Sequence, residues 1–150
     1  MEGLNRLRVY QEAQELAKFI YRKVLTSLPP EEKWGLSSQI RRAAASIPAN
    51  IAEGYGRFYY QETIRFCYLA RGSLMELSSH IELAADQSYL TNEIKTTLLE
   101  QKMSTLLKLI HGYIKYLKQN KQGQNEPGSH AISDYSSDYY PSFTEGDVQE

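Results

Sequence analysis

Residues 39–57 read QIRRAAASIPANIAEGYGR. The stretch opens as a helix, carries Pro48 in its middle and closes on Gly54-Tyr55-Gly56. Whether the chain breaks at Pro48 or runs through it decides the fold. Leu36, Ile40, Ala44, Ile47, Ile51 and Tyr55 recur at three- and four-residue steps, so the apolar stripe keeps its register across the proline. A chain that broke there would have no reason to keep it. The pattern predicts one helix kinked at Pro48, which has no N–H to bond the Ala44 carbonyl. An interior proline costs about 3 kcal/mol in an isolated helix, so tertiary packing must offset it. The run Ala43-Ala44-Ala45 lets a neighbouring helix come close at that point, and Gly54 and Gly56 are expected to end the helix.

Three more helices read outward from this one. Upstream, Leu7, Tyr10, Ala13, Leu16, Ala17, Ile20 and Val24 mark a helix over residues 5–27 that stops at Leu28-Pro29-Pro30. Downstream, Ile64, Cys67, Ala70, Leu74, Leu77, Ile81 and Ala84 mark a helix over 61–87. A fourth begins after Thr91, a predicted N-cap, with the stripe Leu99, Met103, Leu106, Ile110, Tyr113 and Leu117. It frays near residues 118–121. No window alternates polar and apolar residues long enough to argue for a strand. Helices of 20-odd residues joined by short connections predict an all-α, antiparallel up-down four-helix bundle over residues 1–122.

Past Gly123 the composition changes to Gly, Ser, Pro and Asp without a period. Residues 123–150 are expected to form a disordered acidic tail. The charge is equally uneven. The chain holds 17 Lys+Arg and 18 Asp+Glu, yet every basic residue lies at or before Lys121. Up to that point 17 basic residues face 12 acidic ones, a net +5, and the tail holds the other six acidic residues, a net −6. The single cysteine, Cys67, fits a reducing compartment or a buried position. No apolar run approaches the ~18 residues of a membrane span, and the N-terminus lacks an apolar signal core. These features predict a cytoplasmic protein that neither enters a membrane nor takes a small-molecule substrate.

Enzyme chemistry finds little support in the residues. A di-metal carboxylate bundle needs paired Glu-x-x-His motifs, and none occurs. Cys67, His80 and His111 lack metal-ligand spacing. Cys67 and His80 are 13 residues apart on one helix, about 20 Å along its axis, so they cannot act as nucleophile and base. Gly54-Tyr55-Gly56 follows no strand and is not a phosphate loop. No catalytic, cofactor or metal residue is predicted. Arg41, Arg42, Arg57, Arg65 and Arg71, with Phe58, Tyr59 and Tyr60 among them, are the candidate contacts to a partner or to nucleic acid. A solvated helix face, with Glu53 and Arg57 as an ordinary i,i+4 pair, is the plainer reading of the same residues. The stronger signal is excess apolar surface. On the third helix Ile64, Tyr68 and Met75 widen the stripe and Leu69 and Leu83 fall opposite it. With 17 aromatics, 12 of them Tyr, the chain has more contact surface than one small core consumes. Self-association is the expected outcome.

The segments LRVYQEAQELAKFIY, GLSSQIRRAAASIPANIAEGYGR and IRFCYLARGSLMELSSHIELA, in that order, resemble the bacterial four-helix-bundle family of 23S rRNA-intervening-sequence proteins. The resemblance spans residues 4–119. It implies an antiparallel bundle assembled as a homopentamer, without enzymatic activity or cofactor. It also implies kinship with accessory proteins of diversity-generating retroelements, which bind a reverse transcriptase and RNA or DNA. The signature positions are Gln39, Arg41, Arg42, Pro48, Asn50, Glu53, Gly54 and Arg57. Pro48, Asn50, Glu53 and Gly54 are expected to shape the second helix, and the arginines to make contacts. This chain departs from the basic accessory proteins in its near-neutral charge and acidic tail.

Overall fold

The computed structural model describes residues 2–119, so the predicted tail at 123–150 lies outside the described residues. Leu36–Tyr55 forms one unbroken helix, α3, with Pro48 inside it and buried. Ile40, Ala44, Ile47 and Ile51 are all buried, as the unbroken register requires.

The other predicted helices are present with local differences. The expected 5–27 helix is interrupted once: α1 (Glu2–Arg6) ends at an extended Leu7, and α2 begins at Arg8. Helix α2 (Arg8–Phe19) continues into a π turn at Ile20–Val24, where the Leu25 N–H donates to the Ile20 carbonyl at 3.0 Å. After the 3-10 turn Pro30–Lys33, Glu32 caps α3, its carboxylate accepting the Leu36 N–H at 2.8 Å. Helix α4 (Tyr60–Asp86) ends on Ser88 in the left-handed region at φ 62, a place glycine usually takes. The Tyr89 N–H then closes the helix end on the Ala84 carbonyl at 2.9 Å.

The fourth rod is built from three pieces. Thr91 caps α5 (Asn92–Thr96) as predicted, its hydroxyl accepting the Ile94 N–H at 3.3 Å. A π stretch at Thr97–Met103 follows, then α6 (Ser104–Gln119). The π stretch changes which leucine faces inward. Leu98 is buried and Leu99 only partly so, reversing the expected stripe. Leu98 and Met103 stand five residues apart, the i→i+5 spacing of a π turn.

The rods pack α2 on α3, α3 on α4, α4 on α6 and α6 on α2, with α3–α4 the most extensive contact. These four pairings close a ring around one core. Arg42 meets Glu76, Ser46 meets Ser73 and Gly54 meets Thr63, so α3 and α4 run antiparallel. No helix among the described residues is long and apolar enough to cross a membrane.

Cys67 sits inside this core, and burial pushes its thiol up to about 12. Such a shift leaves almost none of the thiol ionised at neutral pH, and the thiolate is the reactive form. Cys67 is therefore expected to resist a thiol reagent such as DTNB in the folded protein and to react fully in denaturant. Rapid modification under native conditions would contradict its placement.

Candidate interaction surfaces

The signature residues of α3 build its junction with α4. Asn50 donates from Nδ2 to the Ser46 carbonyl and to Ser46 Oγ, both at 2.9 Å. Ser46 Oγ lies 2.9 Å from Ser73 Oγ on α4, and Ser73 donates on to the Leu69 carbonyl at 3.2 Å. Asn50 thus anchors a polar chain across the two helices rather than bonding the Ala44 carbonyl that Pro48 leaves free. The expected role of Gly54 and Gly56 needs correcting. The backbone at Gly56 is ordinary right-handed helix (φ −78), so the helix end does not use glycine's extra freedom. Gly54 lies within the helix because α4 leaves it no room. A Cβ there would sit 2.8 Å from Phe66 Cβ and 3.2 Å from the Thr63 carbonyl oxygen. The Thr63 hydroxyl donates to the Gly54 carbonyl at 2.9 Å and fixes that approach. Glu53 accepts from Arg57, the predicted i,i+4 pair.

The five candidate arginines do not converge. Arg42 is held by Glu76 at 2.9 Å and Gln39 at 2.8 Å on the α3–α4 seam. Arg57 lies at the α3–α4 turn with its guanidinium over the Phe66 ring at 4.9 Å. Arg71 lies over the Tyr68 ring at 4.8 Å, close enough to α6 for its charge to act on His111. Arg41 and Arg65 are exposed.

A different cationic surface lies along α4 and α6, one the whole-chain charge concealed. Residues 63–75 of α4 hold Arg65 and Arg71 and no acidic residue. All of α6 holds Lys108, Lys115 and Lys118 and no acidic residue. Lys118 Nζ donates to the Tyr68 hydroxyl at 3.1 Å and lies 5.7 Å from that ring, so Tyr68 is flanked by Arg71 and Lys118. Partial burial, then the Arg71 charge, holds the nearby His111 below its ordinary value. Tyr113 and Tyr116 stack at 6.4 Å beside this surface, and burial pushes the Tyr113 hydroxyl up to about 12.

Apolar side chains make the second surface. Of the residues expected to be surplus on α4, Ile64 belongs to the core, because the wider stripe turns it inward. Tyr68 is half-buried. Leu69, Met75 and Leu83 are 48%, 43% and 48% exposed. Gly72 lies between them with nothing within 4 Å of a built Cβ. The bundle ends add Phe58 at 88% and Trp34 at 83%.

Reactive groups stay scattered. His80 Nε2 lies 3.6 Å from the Glu76 carboxylate, which already serves Arg42. Among the described residues no three His, Cys, Asp or Glu side chains gather where they could hold a metal ion.

An all-α bundle of four antiparallel rods, with its specific residues spent on the α3–α4 junction, is the class these observations define. The chain belongs to the family of 23S rRNA-intervening sequence proteins, whose model matches residues 5–112. It is also similar to a crystal structure from Bacteroides thetaiotaomicron, a protein of unknown function from the S23 ribosomal protein family. That likeness has a TM-score of 0.65 at 25% identity and covers 71% of this chain and 98% of the other. Comparison with curated proteins gives no match.

Proposed function

We propose that this protein is a non-enzymatic helical adaptor that works as a homo-oligomer. The observation that carries the reading is the outer side of α4, where Leu69, Met75 and Leu83 remain nearly half exposed beside an open Gly72. Contiguous apolar area on a monomer marks an interface. A mid-helix glycine costs about 1 kcal/mol relative to alanine, and a second helix backbone approaching at Gly72 would account for it. Assembly number five is what the family resemblance implies. The scattering of ionisable groups and the inert position of Cys67 support a role in contact rather than turnover.

Leu69→Glu combined with Leu83→Glu tests this directly. Neither side chain belongs to the core cluster, so the helical circular dichroism is expected to stay unchanged. The particle mass in solution is expected to fall to that of a single 17.2 kDa chain. A mass equal to that of the unmodified protein would overturn the proposal.

One observation favours a second reading, an accessory protein that contacts nucleic acid beside a reverse transcriptase. It is the acid-free run of cations along α4 and α6, with Tyr68 between two of them. Neutralised phosphates release counterions, so such binding weakens steeply with salt. Lys115→Ala with Lys118→Ala is expected to weaken binding to single-stranded RNA in low salt and to reduce the salt slope by about 1–2. Binding of equal strength in both proteins would remove the reading.

A further inference from the structure

We propose that the acidic, tyrosine-rich segment 123–150 docks on the cationic face of α4 and α6 of its own chain. Three independent facts converge on that occupant. The first is charge. Arg71 and Lys118 flank Tyr68, and Lys108 and Lys115 lie on the same acid-free helix α6, while residues 123–150 carry six acidic residues and no Lys or Arg. The second is attachment. Helix α6 ends at Gln119, and Lys118 in its last turn bonds Tyr68 across the α4–α6 seam. The chain therefore leaves the bundle at the face itself. Asp134 is 15 residues beyond Gln119, a reach of up to about 50 Å. The run from Lys108 to Lys118 covers only about 15 Å of helix. A partner tethered this close acts at an effective concentration near the millimolar range.

The third fact is chemical type. The densest part of the segment, SDYSSDYYPSFTE at 133–145, interleaves Asp134, Asp138 and Glu145 with Tyr135, Tyr139, Tyr140 and Phe143. Carboxylates suit Lys108 and Lys115, and aromatic rings suit guanidinium groups. The face already uses that pairing at Tyr68 and Arg71. An occupant of this composition would also compete with any other polyanion. The inference stands whether or not the chain self-associates through Leu69 and Leu83.

The test is carbodiimide coupling of the full chain at low salt, which joins a carboxylate to a lysine only in direct contact, followed by mass spectrometry. Lys18 couples only to its own partner Glu15, 2.7 Å away. The expected products join Asp134, Asp138 or Glu145 to Lys108 and Lys115, with no carboxylate of residues 123–150 joined to Lys18, Lys23, Lys33 or Lys95. In about 1 M salt, where screening acts within roughly 3 Å, those products are expected to be lost. Arg71→Gln with Lys118→Gln adds no carboxylate, leaves Lys108, Lys115 and the carboxylates of residues 123–150 in place, and is expected to reduce the Lys108 and Lys115 products several-fold. Three results would overturn the proposal. One is coupling spread evenly over all lysines. Another, from a mixture of isotopically light and heavy chains, is linkage only between different copies. The last is an unlinked face whose lysines become protected when a single-stranded oligonucleotide is added, which would give the face to nucleic acid instead.

Discussion

Gly54→Val is expected to lower the stability of the bundle by about 2–3 kcal/mol, the usual cost of forcing atoms into a filled space. Removing a glycine from a helix normally helps, by up to about 1 kcal/mol. Here that gain is outweighed, because the new Cβ would meet Phe66 Cβ at 2.8 Å and the Thr63 carbonyl at 3.2 Å. Neither is the free end of a flexible side chain, so α3 and α4 must separate, and the 2.9 Å bond from Thr63 to the Gly54 carbonyl separates with them. Gly56→Ala is the control, since a Cβ there finds only ordinary contacts at 3.5 Å and beyond. It is expected to be neutral or mildly stabilising. Chemical denaturation at one fixed protein concentration reads both, because association shifts apparent stability. A Gly54→Val protein as stable as its parent would show that the two helices do not meet so closely.

Leu98→Ala is expected to cost about 2–5 kcal/mol, the range for deleting a fully buried leucine. Leu99→Ala is expected to cost less than half of that, since Leu99 is only partly covered. The contrast between neighbouring residues is a direct reading of the π stretch at Thr97–Met103. A regular α-helix running back from Met103 would bury Leu99 in place of Leu98. Against a typical total stability of 5–15 kcal/mol, the Leu98 loss is large enough to resolve by urea denaturation. Equal costs at the two positions, or a larger one at Leu99, would put the register of the fourth rod in error.

These two sites also mark where the sequence was and was not readable. The four rods were legible because a 3.6-residue apolar period persists over each of them, even across Pro48. Ile40, Ile47, Leu74, Leu77, Ile81, Leu106 and Ile110 fall inward as that period requires. The π turns were not legible, since one inserted residue shifts the stripe by a single position and leucine stands at both 98 and 99. The break at Leu7 carries no proline or glycine to announce it. Gly54 looked like a terminator because sequence gives a glycine's place along the helix and not what presses against it. Of the candidate contacts, Arg42 and Arg57 proved to be tied to Glu76 and Glu53. The surface with clearer charge segregation, along α6, was hidden by averaging over the whole chain. Counting acidic residues helix by helix would have found it, for α6 has none.

Sedimentation equilibrium of the unmodified chain over a range of concentrations is the measurement that bears most directly on the account. If the flank of α4 bearing Leu69, Met75 and Leu83 packs against another subunit, the weight-average mass will settle at a whole multiple of 17.2 kDa. A value that stays at one chain's mass from the most dilute sample to the most concentrated would contradict it.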